Sequence, residues 1–88
     1  MVEVYRVRFR SRSVRKELDG LDDEIYLRIV AAIYRLREYP RPAGVKKLSG
    51  QEAYRIRIRD YRVLYTVDDK AKEVRIEAVR KRDERTYE

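Results

Sequence analysis

The sequence predicts an α+β fold in the order β-α-α-β-β-β, with two N-terminal helices packed on one face of a small antiparallel sheet. Three features carry that expectation. Apolar residues recur at helical spacing from Ile25 to Leu36, period-two alternation runs from Tyr54 onward, and a first alternating run ends at Phe9.

The elements follow in order. Val2 to Phe9 reads as a strand, with Tyr5, Val7 and Phe9 on one parity and Arg6, Arg8 and Arg10 on the other. Ser11 or Ser13 caps a short helix through Leu18, which Gly20 ends. Asp22 is a fitting N-cap for the next helix, and Asp23 and Glu24 sit at the positive end of its dipole. Ile25, Ile29, Ile33 and Leu36, with Val30 beside them, face the core, whereas Arg28, Arg35 and Arg37 face solvent. Pro40 and Pro42 stop this helix after Glu38, and Arg41 to Gly50 forms a long loop.

The period then changes to two. Tyr54, Ile56 and Ile58 alternate with Arg55, Arg57 and Arg59, and Asp60 marks a tight turn. Tyr61, Val63, Tyr65 and Val67 continue the apolar face. After a second turn at Asp68 to Lys72, Val74, Ile76 and Ala78 alternate with Arg75, Glu77 and Val79. Three strands with short turns form an antiparallel meander, on which the stripe of Ile25, Ile29 and Ile33 packs. The tail from Arg80 to Glu88 is almost wholly charged, a short helix or an extended segment.

With 88 residues, a single domain over 1–88 is expected, burying roughly 60–65% of the surface its unfolded chain exposes. Cysteine and histidine are both absent, which removes disulfides, thiolate nucleophiles, the commonest general base and the commonest zinc ligand. No apolar run approaches a membrane span and no leader is recognisable, so a soluble cytoplasmic protein is expected. Lys and Arg total 23 against 16 Asp and Glu, a net charge of +7, and 17 of the 23 are Arg. The planar guanidinium suits phosphates and carboxylates, so a polyanion is the expected partner. The absence of Asn, with one Gln and one Met, fits a heat-tolerant source as well.

Arg55, Arg57 and Arg59 project from the face opposite Ile56 and Ile58, and Arg62, just past the turn, returns toward the same surface. Adjacent like charges repel unless an anion lies between them, which favours an anion site over a merely solvated face. The tail adds Arg80, Lys81, Arg82 and Arg85 before Tyr87, a tyrosine suited to stacking on a base or exchanging a proton with a ribose hydroxyl, or to anchoring the C-terminus on the body. Asp22, Asp23 and Glu24 read as a helix start and Asp68 and Asp69 as a turn, so no metal site is expected. Nucleotide-loop and nucleophile-elbow motifs are lacking.

Phe9 with the basic helix after it, the long second helix and Lys47-Leu48-Ser49-Gly50 resemble the RelE/ParE toxin superfamily. The strongest part is Ala53-Tyr54-Arg55-Ile56-Arg57-Ile58 followed by Asp60-Tyr61-Arg62-Val63-Leu64-Tyr65, a hairpin with Arg59 where the family often has glycine. The resemblance covers nearly the whole chain and favours the RelE branch. It implies a type II toxin that enters the ribosomal A site and cuts mRNA, without metal or small-molecule cofactor. It also implies a cognate antitoxin that covers the toxin with an acidic amphipathic segment. The family's basic residues on the second strand fall on Arg55 and Arg57, its arginine after the turn on Arg62, and those near the C-terminus on Arg82 and Tyr87.

The implied chemistry is attack of a ribose 2′-hydroxyl on the adjacent phosphate. Tyr87 takes the hydroxyl proton, which nearby cations must assist because tyrosine ordinarily titrates near ~10. Arg55, Arg57 and Arg62 stabilise the developing charge, Arg82 acts near the leaving oxygen, and Lys81 is a better acid than any arginine. Two other readings compete: a ParE-like gyrase inhibitor, and an RNA- or ribosome-binding module without catalysis.

Overall fold

The computed structural model describes residues 4–48 and 53–81. Among them the elements run β1 (Arg6–Phe9), α1 (Arg12–Asp19), α2 (Asp23–Arg35), β2 (Lys46–Lys47), β3 (Ala53–Ile58), β4 (Tyr61–Asp68) and β5 (Glu73–Lys81). The strands form one sheet in the order β1-β5-β4-β3-β2, and the two helices pack on one of its faces. The expected α+β architecture is therefore present, with two additions.

The meander β3-β4-β5 is antiparallel as expected, but β1 lies parallel to β5, pairing Arg6 with Glu73 and Phe9 with Ile76. The sheet is thus mixed. Which strand a terminal segment pairs with depends on the return path of the whole chain, and alternation within that segment does not encode it. The second addition is β2, a two-residue strand inside the expected loop, where Lys46 opposes Arg55 and Lys47 opposes Tyr54.

The helix boundaries follow local chemistry. Ser11 caps α1, its Oγ accepting the Val14 N–H at 3.4 Å, and the helix closes at Gly20, where the Gly20 N–H donates to the Lys16 carbonyl and the Leu21 N–H to the Leu18 carbonyl. Asp22 stands at the N-cap of α2 but makes no side-chain cap bond, so the acidic first turn acts through charge alone. The helix ends at Arg35, three residues before the expected stop. Leu36 and Arg37 donate to Ile33 and Tyr34, a tighter turn that seats Leu36 in the core ahead of Pro40.

The core is continuous across the layers. Val14, Leu18, Ile29, Ile33 and Leu36 meet Tyr54, Val63, Tyr65, Val67, Val74 and Ile76, while Ile25, Val30, Ile56 and Ile58 are half-buried at its margin. Tyr65, at the centre, is 0% exposed and donates its hydroxyl to the Pro40 carbonyl at 2.7 Å, so its buried oxygen is satisfied. Burial raises its pKa above the ordinary tyrosine value.

Candidate functional site

The β3–β4 hairpin sets the geometry of the basic face. Its register places Tyr54 opposite Tyr65, Ile56 opposite Val63 and Ile58 opposite Tyr61, all on the helix side. The residues between them therefore share the outer face, where Arg55 opposes Leu64 and Arg57 opposes Arg62. Arg62 does return beside Arg57, as the sequence suggested. The turn that enforces this register has Arg59 at φ 56°, the left-handed region at the first central position, where glycine is favoured in two-residue hairpin loops.

Carboxylates divide this face in two. Near β1, Arg8 pairs with Glu73 at 3.3 Å, while Arg10 and Arg75 both pair with Glu77, at 3.5 and 2.7 Å. Among the described residues, Arg55, Arg57 and Arg62 form no such pair, although Arg57 and Arg62 oppose each other directly. Two cations at one strand spacing, ~4.8 Å, repel in the absence of an anion and together suit a phosphate. Lys46, opposite Arg55, extends the charge toward β2.

A β-bulge decides which tail residues join them. Tyr65 opposes Ile76 but Leu64 opposes Ala78, so Glu77 is an extra residue on β5. The extra residue shifts the phase of alternation. Val79, expected outside, is buried opposite Val63, and Arg80 comes to lie opposite Arg62 on the arginine face. Arg57, Arg62 and Arg80 thus form one row across three strands. Lys81 goes the other way. It opposes Tyr61 and lines a cleft with Asp22, Glu24, Arg28 and Arg59 beside the start of α2.

The structure accordingly brings Arg55, Arg57 and Arg62 together and does not place Lys81 with them. Arg82 and Tyr87 lie outside the described residues. The sequence marks Arg80 only as part of the charged tail, although Ala78-Val79, two apolar residues in succession, signals the phase shift. Among the described residues no three acidic side chains gather closely enough to share a metal ion.

At the opposite end of the sheet a polar network fixes the proline-containing loop. Arg41 donates to Asp69 at 2.9 and 3.3 Å and to the Tyr54 hydroxyl at 2.7 Å, and Tyr5 donates its hydroxyl to Asp69 at 2.7 Å. The Arg41 hydrogen bonds hold Asp69 below the usual carboxylate range, with the Tyr5 hydroxyl adding to the effect, while the Asp69 contact raises Tyr5. Tyr54 stacks on Tyr65 with ring centroids 5.6 Å apart. This network supports the base of β3 and β4 from the helix side, so its polar groups serve the scaffold of the arginine face.

A small α+β body with two helices on one face of a five-stranded mixed sheet, and with Arg55, Arg57 and Arg62 free of carboxylate partners among the described residues, is of the RelE/ParE type. The family comparison agrees. A model of the ParE toxin of type II toxin-antitoxin systems matches residues 4–86, and the chain belongs to this family of the RelE/ParE superfamily. No curated protein sequence matches it.

Among solved structures, the archaeal RelE-RelB complex from Pyrococcus horikoshii OT3 matches with TM-score 0.79 and 30% identity, covering 92% of this chain and 98% of that one. The RelBE2 toxin-antitoxin complex from Mycobacterium tuberculosis matches at 0.73 and 28%, over 94% and 98%. The isolated E. coli RelE toxin shares the fold, with TM-score 0.81 at 24% identity over 94% and 89%.

Proposed function

We propose that this toxin is an mRNA endoribonuclease that acts in the ribosomal A site. The observation that carries the reading is the Arg57–Arg62 pair, backed by Arg55 and left without carboxylates among the described residues. Such a cluster suits a phosphate whose charge grows during reaction, because its donors are fixed by strand register before the substrate arrives.

In the proposed reaction, the 2′-hydroxyl attacks the adjacent phosphorus and gives its proton to Tyr87. The P–O5′ bond breaks, leaving a 2′,3′-cyclic phosphate. Arg55, Arg57 and Arg62 stabilise the phosphorane oxygens, and Arg82 stabilises the departing 5′-oxygen, which takes a proton from water. Lys81 has no part in this scheme, since it starts from the helix side of β5. The protein supplies positioning and charge, and the ribosome holds the mRNA in line.

The partner in this reading is an antitoxin encoded with the toxin, using an acidic amphipathic segment to neutralise the net +7. The relatives solved as RelE-RelB and RelBE2 complexes support it. A second reading, inhibition of DNA gyrase, is favoured by one observation: the matching family model is that of ParE.

The deciding experiment maps mRNA cuts in a purified translation reaction beside a gyrase supercoiling assay. Cleavage by the wild type, reduced by ~10²–10³ in Arg62→Ala and strongly impaired in Arg82→Ala and Tyr87→Phe, is the expected result. Intact mRNA with inhibited supercoiling overturns the nuclease reading in favour of the second. Cleavage at wild-type level by both tail variants overturns their assigned roles.

A further inference from the structure

We infer that Arg80 forms a second phosphate subsite, so that a single-stranded nucleic acid crosses the sheet perpendicular to its strands, from β3 toward α1. The inference rests on the proposed phosphate site at Arg57 and Arg62 and extends it by one strand. Cross-strand register puts Arg57, Arg62 and Arg80 in a single row. Adjacent strands are ~4.8 Å apart, so the row spans ~10 Å from end to end. Two neighbouring guanidinium groups suffice for one phosphate, and the third is positioned for the next along the chain.

The bulge at Glu77 is what makes the row. Without the phase shift relative to strict alternation from Val74, Arg80 would point into the helix layer and Lys81 would take its place. The local ion pairs also separate this row from the rest of the face. Arg75 is held by Glu77 at 2.7 Å, whereas among the described residues Arg80 has only a loose contact with Glu17, Nε to Oε2 at 3.8 Å, with its own side chain 63% exposed.

Glu17 acts as a displaceable counter-ion. Its Oε1 accepts the Val79 N–H at 3.3 Å, tying α1 to the free edge of β5 beyond the end of β1, while Oε2 occupies Arg80 until a phosphate replaces it. The geometry therefore predicts opposite effects from two neighbouring substitutions. Arg80→Gln removes a phosphate contact. Glu17→Gln keeps an oxygen for the Val79 N–H but removes the competing charge.

The test measures binding of the full chain to a fluorescent single-stranded oligodeoxynucleotide across a range of salt concentrations. This probe lacks the 2′-hydroxyl, so it reports on the subsite whether or not the protein cuts RNA. Each single-strand phosphate contact contributes ~0.7 to the slope of log K against log salt. Arg80→Gln is expected to lower the slope by ~0.7, Arg80→Lys to restore it, and Glu17→Gln to tighten binding at every salt concentration. Arg75→Gln, which removes a half-exposed arginine held at 2.7 Å by Glu77, is expected to leave the slope unchanged.

A slope unchanged in Arg80→Gln, or lowered equally in Arg75→Gln, overturns the subsite, as does weaker binding by Glu17→Gln with an unchanged thermal midpoint. If these binding results hold while mRNA stays intact in the translation reaction, the nuclease reading fails and the subsite stands.

Discussion

At the scale of single residues, Arg59 carries a conformational cost. A non-glycine residue at φ 56° loses ~1–2 kcal/mol to contact between its Cβ and backbone. Its exposed pair with Glu24, at 3.5 Å, returns little. Arg59→Gly relieves the strain but frees the unfolded backbone, so a net gain of about 0.5 kcal/mol is expected, read as a higher denaturant midpoint at unchanged slope.

Asp69 gives a second prediction at this scale. Its carboxyl is held below the ordinary range by Arg41 and Tyr5, so the folded state binds its proton less readily than the unfolded state does. The stabilisation is complete above the unfolded value near ~4 and is lost as pH falls through the depressed folded value. Asp69→Asn should therefore melt below wild type at neutral pH, with the difference closing in strong acid. A difference in melting temperature independent of pH would contradict the assignment.

At the scale of elements, α2 shows how one helix serves two surfaces. Ile29 is 0% exposed and Leu27, two residues earlier, is 64% exposed. Ile29→Ala is expected to cost about 2–5 kcal/mol by leaving a cavity against the sheet, a large share of the stability of so small a domain. Leu27→Ala should stay within ~0.5 kcal/mol. Equilibrium unfolding of the two variants checks both figures. Equal losses would mean that the helix is rotated about its axis.

The hairpin was legible in the sequence because turn chemistry and period-two alternation agree there, which placed Arg55, Arg57 and Arg62 on one face. In β5 the same alternation led to the wrong side after Ile76, since a bulge depends on how two strands meet. The successive apolar residues Ala78 and Val79 were its only trace. Relative to strict alternation, Arg80 and Lys81 take each other's face as a result.

At the scale of the whole molecule, the net charge of +7 is spread unevenly. Glu73 and Glu77 offset part of the charge of the arginines on the β1 side of the outer face, so more of its free positive potential lies over β3, β4 and the end of β5. Replacing both with Gln should release Arg8, Arg10 and Arg75, tighten non-specific single-strand binding and steepen its salt dependence. Binding and salt slope equal to wild type would show that these carboxylates do not focus the charge.

The residue pattern alone determined the α+β class, the apolar stripe of α2, the hairpin and an excess of arginine suited to a polyanion, because periodicity and turn propensity act over a few neighbours. The tertiary structure decided the parallel pairing of β1, the small strand β2, the Arg41–Asp69–Tyr5 network and the place of Arg80 in the row. These depend on contacts between segments far apart in the chain, where a single extra residue in one strand turns every later side chain to the other face.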